Sequence, residues 1–507
     1  MSRINTNVSS LTAQRVLGQN NAALSTSLER LSTGLRISRG KDDPAGLIAS
    51  ENLRAEKAAI TAAIGNSQRA DQVVNIAEGG LQEVSNLLTE LQGLLTTSAN
   101  GAGLAESEKE ANQLQIDSIL QTIDRVAGAT SFQGTKLLNG NFDYQVSSVA
   151  TGVTDFEVRG AKFDTATQAV SAVITQSAQQ GGLLLSFGGA LDLTNADSAF
   201  TIEIAGSLGS RELQFSSGQT VAQIATAINA VTSVTGVTAT SVSSAGASRV
   251  ELASSDFGSN EYVSVDIIDD AGQTTATQGV FSYTGDFGDI TALSGIDTFD
   301  SANAGNGIRD DGQDIGGTIN GLFATGNGKE LAVNSDFLDV KFTVTDTASQ
   351  TLGALAAFTI TGGGADFQLA AKVDIAGKVS LGIGDISTRK LGTSALGFLD
   401  DLASGKSFNV VDGNDLDTAQ DIVSAAIDKV SSTRGRLGAF QKNVVGATIR
   451  SLGVAFENTT AAESVIRDTD FAAETAALTR NQILVQASTN ILSLANQQPQ
   501  QVLSLLG

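Results

Sequence analysis

The sequence predicts an α+β multi-domain protein in which helices from both termini form a long coiled-coil bundle and a β-rich outer region is inserted between them. Three observations predict this. Apolar residues recur at heptad spacing near both ends, and short apolar runs separated by Gly-rich turns fill the middle. The 507 residues contain only two prolines, so long helices can run uninterrupted.

The composition argues against the commonest catalytic and metal-binding chemistries. The chain has no Cys and no His. The lack of Cys excludes disulfides, thiol catalysis and Cys-ligated zinc, and the lack of His removes the commonest general base and metal ligand. We therefore expect a protein that is not an enzyme, with no catalytic residues, no cofactor and no metal site.

The charge is unevenly distributed along the chain. Residues 141–404 carry 30 acidic and 11 basic residues, a net charge of −19, while the two ends share 24 acidic and 20 basic residues, a net charge of −4. An acidic surface argues against nucleic-acid binding, which needs clustered Lys and Arg. No apolar stretch approaches the roughly 20 residues that span a bilayer, and no apolar segment follows the N-terminal Arg3, so we expect neither membrane insertion nor a cleavable signal peptide.

The N-terminal segment predicts two helices separated by a break. Apolar residues of the first helix follow the spacing of a coiled-coil seam: Leu17, Leu24, Leu28, Leu31 and Leu35. Gly34 and Gly40 interrupt this pattern. Asp43 fits a helix N-cap and Pro44 the first helical position, so we expect a second helix from about residue 45 to 98.

The second helix and the C-terminal segment carry further heptads. The predicted bundle core consists of Val74, Leu81, Val84, Leu88, Leu91, Leu95, Val430, Leu437 and Phe440. After a break near Arg467, apolar residues of a last helix are predicted to extend the inner coiled coil: Phe471, Leu478, Leu484, Val485, Ile491 and Leu492. Isolated helices of this kind are marginal in water. They must therefore pair within the chain or between molecules, and periodicity leaves both arrangements open.

The middle of the chain predicts strands. Alternating or apolar runs lie near residues 200–205, 212–215, 234–240, 249–253, 340–344 and 367–370, with a helical pattern from Val221 between the second and third. Gly/Asp/Thr-rich segments near 270–335 are expected to be exposed loops. The Gly321–Glu330 segment departs from a phosphate-binding loop, and Asp412–Asp417 departs from a calcium loop, so we assign no ligand to either.

Motifs at both ends carry a family resemblance. The N-terminal part contains Leu28-Glu-Arg-Leu-Ser-Thr-Gly-Leu-Arg-Ile and Lys41-Asp-Asp-Pro-Ala-Gly-Leu, and the C-terminal part contains Ile466-Arg-Asp-Thr-Asp-Phe-Ala and Ala487-Ser-Thr-Asn-Ile-Leu-Ser-Leu-Ala-Asn-Gln. Together these ends closely resemble bacterial flagellins over about half of the chain. Residues 199–267 resemble a strand-strand-helix-strand repeat found inside many flagellin inserts.

The resemblance implies an architecture and a function. Residues 1–43 and 460–507 would form an inner terminal coiled coil, residues 44–175 and 405–459 a helical bundle with a β-hairpin, and residues 176–404 a variable outer region of one or two lobes. The chain would polymerise with itself into the extracellular flagellar filament for swimming motility. It would leave the cell unfolded through the flagellar type III pathway, with an export chaperone, a filament cap and hook-junction proteins as partners.

The resemblance also bears on immune recognition. Some flagellins are recognised by an innate immune receptor through an Arg, a Leu and a Glu on two neighbouring helices. The matching positions here are Glu90, Leu94 and Gln115. Glu90 inverts the charge of the motif's Arg, and Gln115 removes the charge of its Glu. We expect weak or absent activation of that receptor.

Two other functions remain open on the sequence. The Ser/Thr-rich outer region could act as an adhesin or bind glycans, alone or in addition to a filament role. A hook-filament junction protein shares the same terminal plan.

Overall fold

The structure is a computed structural model of the whole chain. It describes residues 6–100, 103–163, 167–191, 199–244, 247–273, 278–283, 293, 297–300, 304–412 and 415–506. The chain divides into two compact units, which we describe separately. Unit 1 comprises residues 1–72, 367–378 and 438–507, and unit 2 comprises residues 73–366 and 379–437.

The helices lie mainly at the two ends of the chain. In chain order they are α1 Val8–Thr33, α2 Pro44–Ser98, α3 Glu106–Ala129, α4 Val221–Asn229, α5 Thr232–Thr235, α6 Asp346–Gln350, α7 Leu416–Ala439, α8 Gly446–Arg467 and α9 Phe471–Leu506. A π-helix, Phe440–Val445, lies between α7 and α8, and short 3-10 helices span Ala304–Asn306 and Leu399–Leu402.

The helix boundaries follow from local sequence. At the start of α2 the carboxylate of Asp43 accepts a hydrogen bond from the backbone N–H of Gly46 at 2.9 Å, which confirms the predicted N-cap. At the end of α1, Gly34 adopts φ +71°, and its N–H donates to the carbonyl of Arg30. Leu35 therefore lies beyond the helix, and its predicted place in the seam of α1 is wrong.

The strands come from the middle of the chain. In chain order they are β1 Ser131–Phe132, β2 Thr135–Lys136, β3 Tyr144–Ser147, β4 Val153–Ala161, β5 Gln168–Gln176, β6 Gly182–Ser186, β7 Ala199–Gly206, β8 Gly209–Ser216, β9 Val237–Ser244, β10 Ala247–Ser254, β11 Tyr262–Asp269, β12 Gly279–Ser282, β13 Asp297–Thr298, β14 Ile308–Asp311, β15 Gly316–Ile319, β16 Leu322–Asn327, β17 Glu330–Asn334, β18 Leu338–Val344, β19 Gly353–Gly363, β20 Ala365–Gln368, β21 Lys378–Leu381, β22 Gly392–Thr393 and β23 Gly397–Phe398.

The helical part of unit 2 is a sealed bundle. The heptad residues Val74, Leu81, Val84, Leu88, Leu91 and Leu95 of α2, and Val430 and Leu437 of α7, are all at most 2% exposed. Arg434 of α7 reaches Glu78 of α2 at 2.8 Å. Phe440, assigned to the same core, lies in the π-helix of unit 1, where it is buried with its ring 6.0 Å from that of Phe367.

Two sheets of unit 2 enclose one apolar core. The orders are β13-β12-β6-β10-β9 and β14-β11-β7-β8, and α4 packs on β9. Between them the rings of Phe187, Phe200 and Phe299 lie with centroids 4.8 to 5.3 Å apart. The strands predicted at 200–205, 212–215 and 249–253 and the helix predicted from Val221 are confirmed as β7, β8, β10 and α4. The strand predicted at 234–240 begins only at Val237, as β9, because α5 occupies the residues before it.

The remaining large sheet has eight strands in the order β3-β19-β5-β15-β16-β17-β18-β4. Its two edge strands are consecutive in the chain, and the hydroxyl of Tyr144 in β3 accepts a hydrogen bond from the N–H of Ala161 in β4 at 2.9 Å. The sheet thus curls towards closure around a core that includes Val170, Ile319 and Phe342. Burial raises the pKa of Tyr144 to about 12.

The sheets correct two expectations from the sequence. A domain boundary at residue 175 would separate β5 from β15 and β19, which pair with it on either side, so the outer boundary belongs outside this sheet. Residues 308–334, expected to be an exposed loop, form β14 to β17. Tight turns join the paired strands, such as the Asn320–Gly321 turn between β15 and β16, with φ +49° and +80°.

Candidate assembly surface

Helices α1 and α9 of unit 1 form an antiparallel pair. Near one end, the Asn7 amide donates to the carbonyl of Ala495 at 2.8 Å. Near the other, Arg30 approaches Glu474 at 3.5 Å. Residue numbers that rise along α1 therefore face numbers that fall along α9.

A short backbone contact closes the base of this pair. Leu35 and Asp468 form an isolated antiparallel bridge. The N–H of Arg36 donates to the carbonyl of Arg467 at 2.7 Å, and the N–H of Thr469 donates to the carbonyl of Gly34 at 2.9 Å. We call residues 34–36 and 466–469 the base clamp, because they join the segments that follow α1 and precede α9.

The seam between the helices alternates apolar and polar layers. Leu17, Leu24 and Leu31 of α1 and Leu478, Val485 and Leu492 of α9 are half-buried along it. Between the leucines of α1 lie Asn20 and Ser27, and between the apolar residues of α9 lie Asn481 and Ser488. The amide of Asn20 donates to the hydroxyl of Ser488 at 2.7 Å, and the amide of Asn481 donates to the hydroxyl of Ser27 at 3.1 Å.

Sequence reasoning missed these polar positions because it followed apolar residues only. The signal is present, since Asn20 and Ser27 each come three residues after a seam leucine, and Asn481 and Ser488 each come three residues after Leu478 and Val485. Three-residue and four-residue steps together define a heptad seam, whatever the chemistry of the side chain.

The α1–α9 pair does not fully bury its own large apolar side chains. Among the residues of α1 and α9 whose side chains the structure describes, those that are buried are all small: Ser10, Ala13, Ser27, Ser488 and Ala495. Helix α8 contains no buried residue at all in the described chain. The seam leucines keep part of their surface in water, in contrast to the fully buried heptad of α2 in unit 2.

Large apolar side chains are exposed along both helices, on more than one side of each, and we call this set the open apolar face. It comprises Val8, Leu11, Val16 and Leu28 of α1 and Phe471, Ile483, Leu484, Ile491 and Leu494 of α9, which are 37 to 64% exposed. Of the predicted inner residues, Leu28, Phe471, Leu484 and Ile491 belong to this face rather than to the seam. A groove of about 400 Å³ on the pair is lined in part by Val8, Val16 and Ile491.

The pair carries almost no charge. Over the 26 residues of α1 and the 36 of α9 there are three cations, Arg15, Arg30 and Arg480, and two anions, Glu29 and Glu474. Copies of this surface can approach one another without the repulsion that the acidic middle of the chain would cause. Exposed apolar surface of this kind is typical of protein–protein contacts.

The residues proposed for receptor recognition lie on helices of unit 2. Glu90 of α2 and Gln115 of α3 are exposed, and Leu94 of α2 is half-buried. Gln115 is flanked by Leu114, which is 69% exposed.

Of the two segments with motif likeness, the first has a structural role. Gly321–Glu330 spans the hairpin of β16 and β17, and Lys329 pairs with Asp346 at 2.6 Å. The Asp412–Asp417 segment includes residues 413–414, which lie outside the described residues. Within the described part of the chain no acidic group forms a metal-binding cluster, and no helix there is long and apolar enough to cross a membrane.

Comparisons with known proteins match the whole length of the chain. Family models match residues 4–143 as the bacterial flagellin N-terminal helical region, residues 420–506 as the bacterial flagellin C-terminal helical region, and residues 199–256 as the flagellin hook IN motif. The chain is 30% identical to the B-type flagellin of Pseudomonas aeruginosa and 28% identical to a flagellin of Salmonella choleraesuis, with 99% of each chain covered in both cases.

A solved structure gives a weaker likeness. The D2-D3 domains of the flagellar cap protein FliD from Escherichia coli match 43% of this chain and 97% of that one, at 17% identity and a TM-score of 0.27.

Proposed function

This chain belongs to the bacterial flagellin family and is a structural subunit of a motility filament, and we propose that it polymerises through the open apolar face of α1 and α9. The relative that shows the family, at 30% identity, aligns over 99% of both chains. The observation that carries the proposal is the exposure of nine large apolar side chains on a helix pair that buries only small residues of its own.

The size of this face suits assembly. Fully burying one such side chain stabilises by roughly 1.5–3 kcal/mol, so burying the exposed part of nine gives on the order of 10 kcal/mol per subunit before the cost of ordering and association. The contact repeats from copy to copy without closing into a ring, which gives an open helical polymer.

We extend the proposal to the layers of the filament. Residues 1–43 and 460–507 form the inner layer, in which Leu28, Phe471, Leu484 and Ile491 contact neighbouring copies. The helical bundle, residues 44 to about 140 with 405–459, forms the next layer. The β-rich region that carries the −19 charge projects into solvent, where its self-repulsion keeps filaments soluble.

The route to the outside of the cell follows from family membership. We propose export of the unfolded chain by the flagellar type III pathway, with an export chaperone, the filament cap and hook-junction proteins as partners. A chain without cysteine can cross between compartments without mispairing. Glu90 and Gln115 are exposed at the positions where recognised flagellins have an Arg and a Glu. This difference in surface charge supports weak or absent activation of the innate immune receptor.

Electron microscopy tests the assembly proposal. The full chain and a version lacking residues 1–43 and 460–507 are purified, subjected to salt-induced polymerisation and viewed in negative stain. We expect filaments from the full chain only. Filaments from the shortened chain would refute the role of the terminal helices, and the absence of filaments from both would refute unaided self-assembly.

A further inference from the structure

The apolar layers of the α1–α9 seam do not by themselves define one pairing. Leu17, Leu24 and Leu31 recur every seven residues, as do Leu478, Val485 and Leu492. Sliding one helix by seven residues along the other again places apolar layers opposite each other. If α1 and α9 fold as they pair, they could therefore pair in several registers that bury similar amounts of apolar surface.

The polar layers do distinguish these registers. In the structure each asparagine faces a serine: Asn20 with Ser488, and Asn481 with Ser27. The hydroxyls of Ser27 and Ser488 are on residues only 4 and 5% exposed. A slip of seven residues in one direction would place Asn20 opposite Asn481 and Ser27 opposite Glu474, and in the other would place Asn20 opposite Ala495. The first slip replaces the two asparagine–serine pairs by one asparagine–asparagine pair and places the buried Ser488 opposite Ala13. The second slip leaves the amide of Asn20 without a polar partner, so both are less favourable than the native pairing.

We propose that the two asparagine–serine layers select the register in which α1 and α9 pair during assembly. This inference rests on the proposed pairing of these helices in the filament. The base clamp fixes only one end of the pair. The two layers lie further along α1, with Ser27 and Asn20 respectively 7 and 14 residues before Gly34. A polar residue at one seam position of a coiled coil is a known way to specify register at some cost in stability.

A swap of two residues tests the proposal without changing composition. Asn20→Ser with Ser27→Asn places serine opposite serine and asparagine opposite asparagine. Adding Asn481→Ser with Ser488→Asn restores one asparagine and one serine in each layer. A matched control exchanges two exposed residues just off the seam, through Asn21→Thr with Thr26→Asn.

Because the chain has no cysteine, introduced pairs report the register. Ala13→Cys with Ala495→Cys, one layer further along the seam, reports the native register. Thr6→Cys with Ala495→Cys reports a slip of seven residues. Each pair is placed in the native, swapped, rescued and control chains, polymer is collected by sedimentation, and disulfide yield is measured after mild oxidation.

We expect the native reporter to dominate in the native, rescued and control chains. In the swapped chain we expect its yield relative to the slipped reporter to fall roughly tenfold, because the slip then places a serine opposite Asn481 and an asparagine opposite Glu474 and so regains the hydrogen-bonded combination of side chains. A swapped chain that forms no polymer while the rescued chain does would also support the proposal.

Two results would overturn it. An unchanged ratio in the swapped chain would show that the base clamp alone sets the register, and failure of the rescued chain would show that matched layers are insufficient. If the chain with the native seam forms no polymer, or forms polymer without the native disulfide, the proposed function itself fails, so the two failures are distinguishable.

Discussion

Arg436 of α7 and Glu157 of β4 form an ion pair at 2.8 Å that ties the helical bundle of unit 2 to its eight-stranded sheet. Both side chains are less than one third exposed, and Arg159 contacts the second carboxylate oxygen of Glu157 at 3.2 Å. Burial works to raise the pKa of Glu157, but the charges of Arg436, Arg159 and Lys341 outweigh it and hold that pKa below its usual range.

Replacing Arg436 by methionine should destabilise unit 2. The change keeps most of the apolar stem but leaves the half-buried Glu157 with one cation fewer, and we expect a loss of about 1–2 kcal/mol in the free energy of unfolding. Urea unfolding of the unassembled chain, followed by circular dichroism, measures it. Lys372→Met, at an 86% exposed side chain, is the control and should change little. Equal stability of the two variants would contradict this account.

Asp339 should make unit 2 less stable at neutral pH than at acid pH. Burial raises the pKa of its carboxyl despite the nearby Arg159 and Arg436. A folded-state pKa above the unfolded value means that the charged form costs stability, and the cost disappears as pH falls below the unfolded value of about 3.9. Asp339→Asn should therefore raise the urea midpoint at pH 7 and have little effect near pH 3. A gain of the same size at both pH values would count against this explanation.

Leu484→Asp should block polymerisation while leaving the monomer folded. Leu484 is 42% exposed on the open apolar face, so a carboxylate there stays solvated in the monomer, with a change in stability within about 0.5 kcal/mol. In the polymer it would be buried without a partner. Sedimentation and electron microscopy measure filament yield, with Gln482→Asp at an exposed polar position as control. Filaments of normal yield from Leu484→Asp would remove this residue from the interface.

Leu31→Asp tests the seam separately from the open face. Leu31 is half-buried between α1 and α9, so the charge should weaken the pair itself and also prevent assembly. We expect a loss of helical circular dichroism in addition to a loss of filaments. Intact helicity with normal filaments would contradict the position of Leu31 in the seam.

Gly364→Ala should destabilise unit 2 strongly. Gly364 has φ +78°, which favours glycine, and a Cβ built there would lie 2.5 Å from the ring of Tyr144. We expect a loss of at least about 2 kcal/mol, from backbone strain and displacement of the ring. Gly435→Ala, in the interior of α7 with open space around it, should instead stabilise by about 0.5–1 kcal/mol. Thermal unfolding of the two variants beside the unchanged chain should give shifts of opposite sign.

The immune-receptor proposal predicts a gain of function. The variant Glu90→Arg with Gln115→Glu restores the charges of the family motif on exposed positions. It should raise receptor signalling at least about tenfold over the unchanged chain, because it restores two charge-assisted contacts. A cell reporter assay on unassembled protein measures it, with Glu83→Arg as the control. Strong signalling by the unchanged chain would refute the proposal.

The sequence by itself determined the helices and several strands. The heptads, the Asp43 N-cap and the Gly34 terminus are local signals, because helix period and end chemistry involve residues within a few positions of each other. The same holds for the strands and helix of residues 199–254. The nearly neutral ends, the acidic middle and the family motifs are likewise read directly from the residues.

The tertiary structure decided which of the similar heptads is sealed and which is open. The sequence predicts both Leu88 and Leu484 to lie in apolar helix contacts, yet Leu88 is fully buried in a multi-helix bundle whereas Leu484 is exposed on a two-helix pair. Likewise β5 pairs with β15 and β19, about 140 to 190 residues away, and Asn20 pairs with Ser488. Such contacts depend on how distant segments meet, and no local period specifies that.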